Sequence, residues 1–248
     1  LLSGLWVYKK EFANSRILYR SEIENSTTSP VIGEIVFEPA AGDNVIIFGK
    51  ESRTLIAEQF RELRTNINYL LQSDVNGKVL LMTSSIPGEG KSFVSINLAA
   101  SFAFSGKRTA LVEFDLYKPK VCEGLGVNYK AGITDFFQGQ ATLEKICHPY
   151  SKIPNLRVVP AGTPLTNPAE LILNGKLPGL IDYLKTEFDF IIIDSPAIGM
   201  VSDSKILAPY ANLSLYVIRQ NYAHHGFLKF INELKATGGM PNIHLVFN

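Results

Sequence analysis

The chain is poor in cysteine, in long apolar runs and in secretory features. It contains two cysteines, Cys122 and Cys147, which stand far apart and fit no metal-ligand spacing. The sequence therefore predicts neither a disulfide scaffold nor a structural zinc site. No run approaches the roughly 18 apolar residues that a membrane-spanning helix needs. The start also lacks the basic and apolar regions of a signal peptide, so we expect this piece of chain to be soluble.

An excess of charge of either sign is also missing. Lys and Arg number 24 and Asp and Glu number 23, which leaves a net charge of +1. Such a balance gives no overall field toward nucleic acid, and we expect no nucleic-acid partner. Apolar residues make up 46% of the 248 and charged residues 19%, which excludes an intrinsically disordered protein. The length predicts one large domain or two small ones.

The first 50 residues differ in composition from the rest. Residues 1–6 are apolar, a helix-compatible stretch follows, residues 26–30 (STTSP) interrupt it, and residues 31–37 form a short extended run. We interpret residues 1–50 as an arm that leads into one domain over residues 51–248. The helix-compatible stretch carries four basic side chains: Lys9, Lys10, Arg16 and Arg20.

Regular periods begin at Thr54. Apolar residues recur at helical spacing and predict one amphipathic helix over residues 54–71. Beyond it, apolar strands alternate with helical stretches, and the strands are continuously apolar, as in a parallel sheet covered on both faces. We therefore predict an α/β fold with a doubly wound, mostly parallel sheet and helices on both faces. The predicted strands cover residues 79–83, 109–114, 156–160, 190–194, 213–218 and 243–247.

A glycine-rich loop, SSIPGEGKS over residues 84–92, lies between the first of these strands and a helical run predicted over residues 93–105. Backbone N–H groups and the helix N-terminus make such a loop a phosphate cradle. Ser85 stands where the first glycine of the phosphate-loop motif belongs. A dinucleotide-binding loop is the weaker alternative, because Phe93 replaces its third glycine. We expect ATP or ADP to bind residues Pro87, Gly88, Glu89, Gly90, Lys91, Ser92 and Phe93, with Lys91 on the phosphates and Ser92 on Mg²⁺.

Acidic residues follow two of the predicted strands. Asp194 ends one strand, and Glu113 and Asp115 flank Phe114 at the end of another. A single acid at a strand end is often only a helix cap, but ligands bind beyond the carboxyl ends of parallel strands, where these acids would meet the loop. We expect Ser92, Asp115 and Asp194 to hold Mg²⁺. The predicted catalytic residues are Lys91, Glu113, Asp115 and Asp194.

With these motifs the sequence resembles the cytoplasmic kinase domain of bacterial tyrosine kinases, the BY-kinases of polysaccharide co-polymerases. The GEGKS loop resembles the family's Walker A motif, residues 112–119 (VEFDLYKP) its Walker A′ motif, and residues 192–196 (IIDSP) its Walker B motif. Residues 160–162 (PAG), residues 167–171 (NPAEL) and Asp203 are also similar to the family. Glu58, Arg61 and Arg64 match the family's E-x-x-R-x-x-R helix, although three such charges alone would indicate only a solvated helix face.

The resemblance implies a P-loop NTPase fold of the class that includes MinD. It implies an ATP- and Mg²⁺-dependent tyrosine autokinase that phosphorylates tyrosines of a neighbouring subunit and regulates capsular or exopolysaccharide polymerisation and export. It also implies ring-like self-association through the E-x-x-R-x-x-R helix. An upstream transmembrane segment would place the domain at the cytoplasmic face of the bacterial inner membrane. A cognate tyrosine phosphatase is a further implied partner.

Some features depart from the family pattern. Glu113 replaces the first aspartate of Walker A′, Tyr117 stands where arginine is common, and the family's tyrosine-rich tail does not follow Asn248 in this sequence. We expect the longer Glu113 side chain to lie outside the inner shell of Mg²⁺, with Asp115 and Asp194 nearer. A nucleotide-gated assembly module with weak or no kinase activity stays an alternative. So does a positioning ATPase of the MinD and ParA type, although residues 86 and 87 lack that group's signature lysine.

Overall fold

A mixed, mostly parallel sheet forms the centre of the computed structural model, which describes residues 15–36, 46, 53–72, 77–164, 168–240 and 242–248. The strand order is β1-β8-β7-β2-β6-β3-β5-β4, and only the β4–β5 pair is antiparallel. The strands are β1 (Val31–Glu34), β2 (Lys78–Ser84), β3 (Thr109–Glu113), β4 (His148–Pro149), β5 (Leu156–Val159), β6 (Phe190–Asp194), β7 (Leu213–Ile218) and β8 (Ile243–Phe247).

Helices connect most of the parallel strands, as right-handed crossovers between parallel strands require. The described helices are α1 (Arg20–Glu24), α2 (Leu55–Leu70), α3 (Lys91–Phe104), α4 (Val121–Leu125), α5 (Ile133–Phe137), α6 (Leu143–Ile146), α7 (Pro168–Ile172), α8 (Leu177–Glu187), α9 (Asp203–Leu207) and α10 (Gly226–Ala236). A short 3₁₀ helix, Ala208–Tyr210, follows α9.

Two hydrophobic clusters cover the two faces of the sheet. Along β2, Leu80 and Met82 belong to the cluster that contains α2 and α3, whereas Val79 and Leu81 belong to the cluster that contains α8 and α10. Successive side chains of a strand point to opposite faces, so a strand buried on both faces must be apolar throughout. This arrangement confirms the predicted α/β fold with helices on both faces.

The predicted amphipathic helix is α2. The Thr54 side chain accepts a hydrogen bond from the N–H of Ala57 at 3.4 Å and so caps the helix start. The apolar stripe of the sequence is buried against the sheet and α3, with Phe60, Leu63 and Ile67 fully buried. The polar side of α2 is left facing away from this core.

Part of the predicted N-terminal arm lies on the domain. β1 pairs with β8 as a parallel edge strand, and Ile17 and Ile23 are fully buried. The Arg16 guanidinium donates a hydrogen bond to the carbonyl oxygen of Asn221 at 3.0 Å. Residues 15–36 are therefore packed on the sheet, while Lys9 and Lys10 lie outside the described residues. Within the described ranges, no helix is long and apolar enough to cross a membrane.

The boundaries of the elements differ from the predicted ones mainly at turns. β6, β7 and β8 have the predicted bounds, and β3 and β5 each end one residue earlier. The helix after the glycine-rich loop begins at Lys91, two residues before the predicted start. Gly90, at φ 94°, is the N-cap residue and turns the chain directly from the loop into α3.

Candidate active site

The glycine-rich loop lies at the carboxyl end of β2, in the middle of the sheet. Gly88 and Gly90 have φ angles of 90° and 94°, in the left-handed region where other residues are strained. Gly90 is also the N-cap of α3, so the first N–H groups of a 14-residue helix are directed at the loop. A loop of this conformation in front of a helix N-terminus suits an anion such as phosphate.

A cavity of about 480 Å³ lies beside this loop. The structure brings most of the predicted site residues together around it. Asp194, Glu113 and Glu89 are not among the lining residues. The cavity is lined by Pro87, Gly88, Gly90, Lys91, Ser92, Phe93, Asp115, Tyr117, Lys118, Lys120, Pro196, Ala197, Met200 and Val201.

Asp194 lies directly behind the start of α3. One carboxylate oxygen accepts a hydrogen bond from the Ser92 hydroxyl at 2.6 Å, and the other accepts one from the Ser95 hydroxyl at 2.9 Å. Burial of the carboxyl group raises the pKa of Asp194 to about 6, and the two hydroxyls and Lys91 oppose this shift. Ser92 and Asp194, two of the three predicted metal ligands, are therefore hydrogen-bonded neighbours.

Asp115 lies on the turn that follows β3. One of its carboxylate oxygens accepts hydrogen bonds from the N–H groups of Tyr117 at 3.3 Å and Lys118 at 3.0 Å. These bonds hold the side chain of Asp115 in place at the cavity, which it lines. The carboxylate is in a position to act on a group that enters the cavity.

Glu113 does not join Asp115 at the cavity, in contrast to the predicted catalytic role. Its carboxylate accepts hydrogen bonds from the N–H groups of Val121 at 2.6 Å, Cys122 at 3.1 Å and Ala161 at 3.2 Å. Val121 and Cys122 form the first turn of α4, where a carboxylate is stabilised by unpaired N–H groups. Glu113 thus links β3 to the start of α4 and to the segment that follows β5.

Glu89 belongs to the loop but also points away from the cavity. It is fully buried, and one carboxylate oxygen accepts a hydrogen bond from the N–H of Ile86 at 3.0 Å. Burial raises the pKa of the Glu89 carboxyl group. Its side chain therefore holds the loop internally and does not line the cavity.

Asp203, at the start of α9, is the most unusual acid near the site. It is fully buried, and neither carboxylate oxygen has a hydrogen-bond partner in the described part of the chain. Burial raises the pKa of Asp203, and the negative charge of Asp115 raises it further. A buried carboxylate without a donor is costly unless a cation or ordered water satisfies it. The charge of Asp115 acts on Asp203, so the two acids lie near each other, and an unsatisfied buried carboxylate at this place suits the water shell of a cation. Within the described residues, no group of three or more His, Cys, Asp and Glu side chains could hold a metal ion by itself.

The three residues of the predicted self-association motif lie on α2. Glu58 and Arg61 form an ion pair on the helix surface, and Glu58 is exposed. Arg64 instead donates a hydrogen bond to the carbonyl oxygen of Ser101 in α3 at 2.7 Å. The sequence pattern predicts one role, self-association, for all three residues. In the structure, Arg64 is already engaged in a hydrogen bond within its own chain.

Sequence reasoning missed three side chains that contact the phosphate loop from outside. Arg219, Tyr222 and Asn248 donate hydrogen bonds to three consecutive carbonyl oxygens of the loop. They lie just beyond the ends of β7 and β8, where ligand-binding residues of parallel sheets are found. That rule pointed to this region, but only the folded chain shows which side chains reach the loop.

The central strand, the glycine-rich loop and the buried serine–aspartate pair define a P-loop nucleotide-binding protein. Comparison with known sequences agrees, because the AAA domain family matches residues 77–246. The tyrosine-protein kinase CpsD of Streptococcus agalactiae is 33% identical over 197 residues, which cover 77% of this chain and 82% of CpsD. The putative tyrosine-protein kinase EpsB of Ralstonia solanacearum is 36% identical over 162 residues, 65% of this chain and 21% of EpsB. The matched part thus spans about a fifth of EpsB.

Solved structures of a bacterial tyrosine kinase domain and of a cell-division ATPase are also similar to this chain. The BceF tyrosine kinase domain superposes with a TM-score of 0.79 at 25% identity, over 94% of this chain and 99% of that domain. The cell-division ATPase MinD of Pyrococcus furiosus superposes with a TM-score of 0.56 over 67% of this chain and 69% of MinD. The chain belongs to the bacterial tyrosine-protein kinase family, within the wider group of P-loop proteins that also includes MinD.

Proposed function

We propose that this chain is the ATP-dependent kinase domain of a protein that phosphorylates its own tyrosines. The observation that carries the proposal is the grouping of Lys91, Ser92 and Asp115 around one cavity, with Asp194 buried behind Ser92. Family membership supports it, since the similar proteins include CpsD, EpsB and the BceF domain, which are described as tyrosine kinases.

The loop would hold the phosphates of the nucleotide. Its backbone N–H groups and the Lys91 ammonium group supply positive charge, and Lys91 is 7% exposed, so little water competes with it. Ser92 and Asp194 would hold Mg²⁺, with Asp203 and Asp115 available to its water shell. Bound ATP with Mg²⁺ would supply the phosphoryl group for transfer.

Asp115 would accept the proton of the incoming tyrosine hydroxyl. It is the acid that faces the cavity, and its turn holds it in place through two backbone N–H groups. Phe93, Met200 and Val201 also line the cavity and offer apolar contacts that suit an aromatic ring. The acceptor tyrosine would come from a neighbouring subunit of a ring-like homo-oligomer.

Labelled phosphate transfer tests the activity. The protein is incubated with Mg²⁺ and γ-labelled ATP, alone and with a copolymer of glutamate and tyrosine as acceptor. We expect label in phosphotyrosine. Release of free phosphate without phosphotyrosine would instead support a positioning ATPase, and nucleotide-dependent assembly without either product would support the assembly module.

The wider setting follows from the similarity to EpsB, CpsD and the tyrosine-protein kinase Wzc of Salmonella typhimurium. In this proposal the domain regulates capsular or exopolysaccharide polymerisation and export. It would lie at the cytoplasmic face of the bacterial inner membrane, attached through an upstream transmembrane segment. A cognate tyrosine phosphatase would reverse the modification.

Of the three residues of the α2 motif, Glu58 and Arg61 lie on the helix surface and should be the ones that contact another subunit. We expect Arg61→Ala to reduce the size of the oligomer with little change in stability, because an exposed ion pair is worth only about 0–1 kcal/mol. Arg64→Ala should lower the thermal midpoint as well, because the carbonyl oxygen of Ser101 loses the shorter of its two hydrogen bonds and keeps the one from the N–H of Ser105 at 3.3 Å. Light scattering measures size and calorimetry measures stability.

Lys152→Ala, at an exposed position, is the control for this pair. An oligomer of unchanged size in Arg61→Ala, from a wild type that does associate, would remove α2 from the subunit interface.

A further inference from the structure

Three side chains contact the phosphate loop but are not among the residues that line the cavity. The Tyr222 hydroxyl donates to the carbonyl oxygen of Pro87 at 3.0 Å, and the Arg219 guanidinium donates to that of Gly88 at 2.9 Å. The Asn248 side-chain amide donates to the carbonyl oxygen of Glu89 at 2.9 Å. We call Arg219, Tyr222 and Asn248 the loop clamp.

These hydrogen bonds determine where the loop's N–H groups point. The C=O of one residue and the N–H of the next share a planar peptide unit and, in the trans form, point in opposite directions. The described chain contains no cis peptide bond. A carbonyl held toward the clamp therefore turns the following N–H away from the clamp, and Gly88 and Gly90 line the cavity. This applies to the N–H groups of Gly88, Glu89 and Gly90.

The loop itself does not enforce this orientation. Gly88 and Gly90 have no side chain and can adopt either sign of φ, so their peptide units can rotate at little steric cost. A rotated unit would direct a carbonyl dipole at the phosphate and withdraw an N–H group from it. Contact with the clamp is close, because a Cβ atom on Gly88 would lie 2.8 Å from the Tyr222 hydroxyl oxygen.

The clamp is itself held firmly. The Arg219 guanidinium carbon lies 5.4 Å from the centre of the Tyr222 ring, within cation–π range. The N–H of Ala223 donates to the carbonyl oxygen of Arg219 at 3.0 Å, and the N–H of Asn221 donates to that of Ile17 at 2.8 Å. Asn248 continues β8 and donates its N–H to the carbonyl oxygen of Ile218 at 2.8 Å. The loop is thus hydrogen-bonded to the residues that follow β7 and β8.

We propose that Arg219 and Tyr222 are positioning residues of the phosphate site. They hold the carbonyl groups of Gly88 and Pro87 outward and so present the N–H groups of Glu89 and Gly88 to the β-phosphate of the nucleotide before it binds. This proposal rests on the nucleotide site of the proposed function but not on phosphoryl transfer. It assigns the segment after β7 a part in nucleotide affinity.

The test measures binding of ADP, and of inorganic pyrophosphate in competition with it, by Tyr222→Phe, Arg219→Leu and the double variant. Loss of one hydrogen bond corresponds to an increase of about 2- to 10-fold in the dissociation constant, and we expect this for each single variant. The double variant should lose about 5- to 50-fold, because both changes act on one loop. Arg219→Lys, which keeps one donor, should recover part of the affinity.

Three further readouts separate positioning from general stability. Hydrogen exchange at Gly88, Glu89 and Gly90 in the nucleotide-free variants should be faster than in the wild type. The thermal midpoint should change little, and the KM for ATP should rise more than kcat falls. Tyr69→Phe, at a tyrosine that is 74% exposed on α2, is the matched control and should bind ADP as the wild type does.

Several results would overturn the proposal. They are unchanged ADP affinity in the folded double variant, weaker ADP binding with unchanged pyrophosphate binding, or no ADP binding by the wild type. If the double variant does not fold, Tyr222→Phe decides alone, since it removes a single oxygen atom. A wild type that binds ADP but forms no phosphotyrosine would refute the kinase activity and leave the clamp to be judged by the binding data.

Discussion

Lys91→Met is expected to lower tyrosine phosphorylation by about 10²- to 10³-fold while the fold is retained. Lys91 lines the cavity at the first residue of α3 and is nearly buried, so its charge acts in a site with little competing water. Methionine keeps the length of the aliphatic chain and removes only the charged amine. Labelled phosphate in tyrosine measures the rate, and circular dichroism with thermal unfolding checks the fold.

Lys152→Met serves as the matched control, because Lys152 is exposed and does not line the cavity. It should phosphorylate tyrosine at the rate of the wild type. Wild-type phosphorylation by a folded Lys91→Met variant would show that the glycine-rich loop does not serve the transfer reaction.

The second large effect is expected at Asp115, in contrast to Glu113. Asp115→Asn should reduce phosphorylation by about 10²- to 10⁴-fold, because the amide cannot accept the tyrosine proton. Stability should change little, since the remaining side-chain oxygen still accepts the N–H groups of Tyr117 and Lys118. The measurements are the phosphorylation rate and the thermal midpoint of the same preparation.

Glu113→Gln should show the opposite pattern. The buried carboxylate accepts three backbone N–H groups, and an amide has only one oxygen to serve them. We expect a loss of about 1–3 kcal/mol in the free energy of unfolding, with most activity per folded molecule retained. Glu113→Asp should reduce the activity even less than Glu113→Gln does. Its stability should still fall, because the shorter side chain cannot reach all three donors.

The comparison of these variants tests the site assignment directly. If Glu113→Gln is as inactive as Asp115→Asn while its thermal midpoint is unchanged, then Glu113 acts at the reaction centre and its hydrogen bonds in this structure do not describe its role. Loss of stability in Asp115→Asn would likewise give Asp115 a structural role.

The architecture and the phosphate loop could be predicted from the sequence because both depend on local patterns. β6, β7 and β8 are continuous apolar runs, and burial on both faces of a sheet requires that composition. The GEGKS loop needs glycines at the two positions with positive φ, so its conformation can be inferred from the residue types alone. The start of α3 was misplaced by two residues because the left-handed N-cap at Gly90 is a property of the folded turn.

The roles of individual charged side chains were decided by the tertiary structure. Glu113 and Asp115 are two residues apart, yet α4 and the end of β5 bring three N–H donors to the first and leave the second facing the cavity. Arg64 belongs to a surface motif by spacing, but the packing of α2 on α3 places the carbonyl oxygen of Ser101 within its reach.

The loop clamp shows the same limit over a greater distance in sequence. Arg219 and Gly88 are separated by 131 residues along the chain, and the pairing of β7 with β2 brings them together. The sequence determined the strands, the loop and the acids at the strand ends, because each of these features depends on the residue types of one short segment. Which donor meets which acceptor depended on the order of the strands, and that order is set by the burial of the whole sheet rather than by any one segment.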